Sequence, residues 1–150
     1  MRHGTSIIDG VEEFASTNRT NEMKKYKAAI VVVGENPYTE MEGDSDKLYL
    51  SDEDKASIEK VKKMGLPYVV VLITGRPLIV NDIIDESNAF LVAWLPGTEG
   101  GGVADVLFGK SDFQGKLSFS WPKSMEDIPC NYDNDCDPLF PLGYGLNYKN

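Results

Sequence analysis

The sequence predicts an α/β fold: a mainly parallel sheet held between helices in a three-layer sandwich. Two observations predict it. Residues 28–33 (AAIVVV), 68–73 (YVVVLI) and 89–95 (AFLVAWL) are apolar runs with no polar break, and such runs fit strands covered on both faces. Each run then opens into a turn-rich segment followed by a helical or ambiguous stretch. The order strand, loop, helix thus repeats three times, as a parallel α/β sheet requires.

Taken in order, Ile7, Ile8, Val11 and Phe14 are spaced for one face of a helix within residues 4–14. Residues 15–27 are polar and read as a connection, and the first strand follows at 28–33. Ser51-Asp52-Glu53-Asp54 starts a helix, with a capping serine and acids where the helix dipole favours them. Ile58, Val61 and Met64 form its inner face, and Gly65 and Pro67 end it. The second strand, 68–73, runs into Thr74-Gly75-Arg76-Pro77. Residues 78–84 fit a short strand or a helical turn equally. The third strand, 89–95, leads into a glycine-rich turn at 96–102, and Val103, Val106 and Leu107 mark the helix beyond it. Residues 116–121 read as an edge strand that Pro122 stops, and 129–150 as an irregular tail.

A chain of 150 residues suggests one domain, 1–150. Its net charge of −9 disfavours a nucleic-acid backbone or an anionic membrane surface as partner, and suits a neutral ligand such as a sugar. No apolar run reaches the ~18 residues of a membrane span, and the N-terminus carries no signal-peptide core. The two cysteines, Cys130 and Cys136, fit a small disulfide loop or free thiols equally. Asn18-Arg19-Thr20 is a glycosylation acceptor triplet if the parent protein is secreted.

The chemistry gathers after the first strand. Glu35 follows it directly, and Glu40, Glu42 and Asp44 lie in the turn-rich segment beyond. In open α/β sheets, ligands bind in the crevice outside the carboxyl ends of the strands. A carboxyl group held there can serve as a general acid, or it can be a solvated loop acid. Arg76 sits at another strand end, able to bind a ligand or pair with a carboxylate. The 97–102 loop lacks the Gly-Lys-Ser/Thr ending of a phosphate-binding loop. Trp94 and Trp121 offer flat faces to a sugar, though Trp94 lies in an apolar run that suits a core. The only histidine, His3, is terminal, so a Ser-His-Asp site or a His-based zinc site is hard to build.

The segment Val32-Val33-Gly34-Glu35-Asn36-Pro37-Tyr38-Thr39-Glu40, with Gly43-Asp44, resembles the second domain of glycoside hydrolase family 3. The resemblance is strongest to the plant-type branch, plant and bacterial, of β-glucosidases and exo-β-glucanases. It continues through Leu72-Ile73-Thr74-Gly75-Arg76-Pro77, then Ala93-Trp94-Leu95-Pro96-Gly97-Thr98-Glu99-Gly100, then Ala104-Asp105-Val106-Leu107-Phe108-Gly109 and Gly115-Lys116-Leu117. It ends in Asp137-Pro138-Leu139-Phe140-Pro141-Leu142-Gly143-Tyr144-Gly145-Leu146.

The resemblance implies retaining hydrolysis of β-linked glucose from a β-glucoside or β-glucan oligosaccharide. Its acid/base matches Glu40, with Glu35 the second choice. Arg76, Trp94 and Glu99 are candidate substrate contacts. No metal or organic cofactor is implied, and the parent enzyme would be secreted or bound to a cell wall. The nucleophile belongs to a (β/α)8 barrel of ~250 residues, which 150 residues cannot hold. The chain therefore reads as a partial second domain lacking its first strand, inactive without that barrel. The alternative is a non-catalytic module that binds carbohydrate or protein.

Overall fold

A computed structural model describes residues 4–17, 26–131, 133 and 135–149. His3 and the Asn18-Arg19-Thr20 triplet lie outside them. The elements are α1 (Ile7–Glu12), β1 (Ala29–Gly34), a 3-10 turn (Glu40–Gly43), α2 (Asp52–Lys62), β2 (Tyr68–Ile73), α3 (Asn81–Glu86), β3 (Ala89–Trp94), α4 (Gly100–Leu107) and a second 3-10 turn (Met125–Asp127). The strands form one parallel sheet in the order β1-β2-β3.

Local chemistry sets the helix starts. The Ser51 hydroxyl accepts from the Asp54 amide at 3.1 Å, and Ser6 and Asp9 form a reciprocal capping box on α1. Gly65 ends the α2 segment at φ 66°, a value glycine tolerates best. The ambiguous stretch 78–84 resolves into buried Leu78 and Val80 followed by the first turn of α3.

Strand alternation divides the core. Val31, Val33, Tyr68, Val70 and Leu72 point to one face, where they cluster with Ile58 of α2, Leu78, Val80 and Trp121. Ile83 and Ile84 of α3 and Phe90 and Val92 of β3 pack against that cluster. Residues of the other parity, Val71 and Leu91, are buried outside it, as are Val11 of α1 and Ala104 of α4. The last two helices cross closely. A side-chain carbon added at Gly100 would stand 2.2 Å from the Ser6 carbonyl carbon, so only glycine fits.

Three expectations need correction. The first run is not covered on both faces: Val32 is 45% exposed, because β1 is an edge strand among the described residues. Leu95 is not in the third strand but 72% exposed beyond it. Residues 116–121 form no strand. An isolated antiparallel bridge, Trp121 to Phe140, and a backbone hydrogen-bond pair at Leu117, to Gly143 and Tyr144, pin that segment to the tail. Of the two open readings of the cysteines, the structure has the disulfide, Cys130–Cys136.

Pairing register positions the site. Gly34 lies opposite Ile73, and Ile73 opposite Trp94, so all three strands finish at one level. Leu72 pairs with Val92 and Ile73 with Trp94, which leaves Ala93 as an extra residue in a bulge. Trp94 emerges from that bulge at φ 55°. The Glu35 amide donates to the Ile73 carbonyl at 3.0 Å and the Thr74 amide to the Trp94 carbonyl at 3.1 Å. Glu35 and Thr74 thus leave adjacent strands side by side.

Candidate active site

The side-by-side exit of Glu35 and Thr74 explains the first contact of the site. The Thr74 hydroxyl, fully buried, lies 2.6 Å from Glu35 Oε2. The same hydroxyl is 2.7 Å from the Arg76 carbonyl and accepts from the Arg76 amide at 3.2 Å. Its one proton can serve only one acceptor at a time, and an ionised carboxylate is the stronger.

Arg76 completes the arrangement. Its Nε donates to Glu35 Oε1 at 2.9 Å, and its Nη2 reaches the same oxygen at 2.8 Å. Its Nη1 donates to the Gly43 carbonyl. The guanidinium also lies over the Tyr38 ring, 4.5 Å from its centroid. The Tyr38 hydroxyl donates to Glu35 Oε2 at 3.2 Å. Beneath the ring, a side-chain carbon added at Gly43 would stand 2.3 Å from Tyr38 Cδ2, so the ring needs glycine there. Glu35 is left with four donors on its two oxygens and a side chain 14% exposed.

Glu40 presents the opposite picture. It opens the 3-10 turn at φ 39°, a left-handed value uncommon outside glycine and costing roughly 1–3 kcal/mol. Its side chain is exposed, and no described residue hydrogen-bonds or pairs with its carboxyl group. Next to it Met41 is 82% exposed. Leu95 is exposed too, within 3.8 Å of the position a side-chain carbon would take at Gly75, beside the Tyr38 hydroxyl.

The structure therefore brings Glu35 and Arg76 together and leaves Trp94 and Glu99 out of their network. Trp94 is half-buried, edge-on to Phe119 at 5.6 Å and tilted against Trp121 at 6.0 Å. Trp121 itself is buried at the core, so its face is not open to a sugar. Glu99 starts α4, bridged to Thr5. Sequence reasoning missed the part played by Tyr38, Thr74 and Gly43. The only signal for them was small residues and an aromatic ring beside Glu35 and Arg76.

Burial raises the Tyr38 phenol above its ordinary pKa of 10.0, and the Glu35 carboxylate adds to the rise by charge and hydrogen bonding. Arg76 pulls it partly back. Since the folded protein favours the neutral phenol, this contribution to stability is complete below about pH 10 and is lost as pH climbs through the raised value. A Tyr38 ring-carbon NMR titration is expected to show the high pKa. In Glu35→Gln it moves down but stays above the ordinary value, because burial remains. A Tyr38 titrating at the ordinary value in the wild-type chain would contradict this.

A parallel sheet flanked by helices, with an acidic loop past its strand ends, is an open-sheet α/β domain, a class in which ligands bind at the carboxyl ends of the strands. Residues 3–148 match the Glycosyl hydrolase family 3 C-terminal domain, and the chain belongs to that family. It is 34% identical to a β-xylosidase of Formosa agariphila over 94% of this chain and 22% of that protein. It is also 34% identical to the periplasmic β-glucosidase of Salmonella typhimurium, over 83% of this chain and 20% of that protein. Among solved structures, the exo-1,3/1,4-β-glucanase of a Pseudoalteromonas species superposes with a TM-score of 0.85 at 42% identity, covering 98% of this chain and 21% of that one. The β-glucosidase of Listeria innocua, solved with isofagomine, gives 0.82 at 26% identity, over 97% of this chain and 26% of that one. The chain thus spans about a fifth of the length of the curated relatives it matches. Bacterial and fungal proteins, rather than plant ones, predominate among the relatives described as β-glucosidases and β-xylosidases. Among the described residues, no helix is long and apolar enough to cross a membrane.

Proposed function

We propose that this chain carries the acid/base half of a retaining β-glucosidase or exo-β-glucanase site, with Glu40 as the acid/base. One observation supports it above others. Glu40 holds an exposed carboxyl, unpartnered among the described residues, on a strained turn past the strand ends, while Glu35 is enclosed by Arg76, Thr74 and Tyr38. The plant-type pattern Pro37-Tyr38-Thr39-Glu40 points to the same residue.

Retaining hydrolysis uses two carboxyl groups about 5–5.5 Å apart. In the first step Glu40 gives its proton to the glycosidic oxygen, while a carboxylate from a barrel domain attacks the anomeric carbon and the aglycone leaves. In the second, Glu40 takes a proton from water, whose oxygen displaces the barrel carboxylate and releases the sugar. The barrel would cover the rim where Met41 and Leu95 lie exposed, because apolar groups so placed favour a partner surface. The substrate is a β-glucoside or β-glucan oligosaccharide, in a secreted parent enzyme.

The test is a graft of this chain in place of the matching segment of the Pseudoalteromonas exo-glucanase. The graft is expected to hydrolyse an aryl β-glucoside faster than the matching aryl β-xyloside, and to lose that activity on Glu40→Gln. A fully active Glu40→Gln graft would remove Glu40 from the role.

A further inference from the structure

We infer that Arg76 is a positioning residue: it clasps both ends of the loop that presents Glu40 and so holds the acid/base in its strained turn. This rests on the reading of Glu40 above. The loop runs from Glu35 to Gly43, and one guanidinium group touches its start, its middle and its end. Nε and Nη2 hold Glu35, the ring of Tyr38 lies under the guanidinium plane, and Nη1 holds the Gly43 carbonyl. Thr74 fixes the other oxygen of Glu35 from a fully buried position on the adjacent strand end. The clasp is thereby tied to the sheet rather than to solvent.

Such a clasp has work to do. A non-glycine residue keeps a left-handed backbone only where its surroundings over-determine it, and the Glu40–Gly43 turn is a single short 3-10 turn, tied at its ends by Glu42 to Thr39 and Asp44 to Met41. No other described side chain hydrogen-bonds both ends, so without Arg76 Glu40 would relax to an ordinary φ and swing its carboxyl away. The planar fork matters as much as the charge. A lysine offers a single point charge and cannot hold Glu35, Tyr38 and the Gly43 carbonyl together. An Arg76 engaged in this way has little left to offer a sugar directly.

The test compares Arg76→Ala, Arg76→Lys, Glu40→Gln and the double variant Glu40→Gln/Arg76→Ala in the same graft. A positioning role predicts that Arg76→Ala lowers kcat by about 30-fold or more with KM nearly unchanged. The loss should be greatest for poor leaving groups, as for Glu40→Gln, and Arg76→Lys should restore little. In the Glu40→Gln background the Arg76 substitution should cost nothing further, because it acts through Glu40. Equal losses in both backgrounds, or a raised KM with kcat kept, would overturn the inference and assign Arg76 to substrate. A fully active Arg76→Ala beside a dead Glu40→Gln would also overturn it, while leaving the acid/base reading intact. Independently of activity, Arg76→Lys in the 150-residue chain should speed exchange of the hydrogen-bonded Glu42 and Asp44 amides by about 100-fold relative to Val70 and Leu72. Unchanged exchange there would refute the clasp.

Discussion

In the grafted enzyme, Glu40→Gln is expected to lower kcat on a β-glucoside with a poor leaving group by about 10²–10⁴-fold, the usual worth of a positioned general acid. The loss should shrink as the leaving group becomes a better one, because a stable aryloxide departs without a proton. With an activated aryl β-glucoside the second step becomes limiting, and there Glu40 acts as base on water. A small anionic nucleophile such as azide needs no base, so adding it should restore turnover and yield the β-glycosyl azide. The leaving-group profile separates this role from a substrate contact, whose removal raises KM for all leaving groups alike. A uniform loss across leaving groups, with no azide product, would show that Glu40 binds rather than transfers a proton. Glu35→Gln gives a useful contrast. Its carboxylate is filled by four donors, so its loss should disturb the loop and lower rate without an azide-rescuable step.

The largest effect on stability is expected at Trp121. Its ring is buried in the main core against Trp94, and its Nε1 donates to the Leu78 carbonyl at 2.8 Å. Its backbone also binds the tail, its carbonyl accepting from the Leu139 amide and its amide donating to the Phe140 carbonyl. Trp121→Ala should cost about 3–5 kcal/mol, from lost burial and the cavity left behind. That is a large part of the roughly 5–15 kcal/mol that holds a domain folded. Trp121→Phe keeps most of the ring but leaves the Leu78 carbonyl unpaired, at a cost of about 1–3 kcal/mol. Urea unfolding followed by circular dichroism measures both. A Trp121→Ala variant within about 1 kcal/mol of wild type would mean that the segment 116–121 contributes little to the core.

The three strands and three of the four helices were legible because their patterns are local. An unbroken apolar run, a capping serine and a terminating glycine each act within a few residues. What was not legible depends on partners far away in sequence. Val32 looks as apolar as Val31, and only the strand order shows that β1 stands at an edge. The bulge at Ala93 and the left-handed Trp94 arise from pairing with β2, which no property of residues 89–95 reveals. Residues 116–121 have strand-like composition but meet the tail only at separated points, Leu117 and Trp121, rather than along a continuous ladder. The same holds for the site. Glu35 and Arg76 were each singled out, yet they are 41 residues apart, and their union follows from the pairing of Gly34 with Ile73. Tyr38 stood in the sequence only as one residue of the family-like segment 32–40, whereas it lies under the guanidinium and donates to Glu35.

The central claim is that this chain carries an acid/base without the nucleophile that must act beside it. The most direct measurement is hydrolysis of an aryl β-glucoside by the 150-residue chain alone, with its Glu40→Gln variant in parallel. The account predicts no turnover by either, and turnover by the grafted wild type only. Hydrolysis by the isolated chain that vanishes in Glu40→Gln would contradict it, since a second carboxylate within this domain would then be serving as nucleophile.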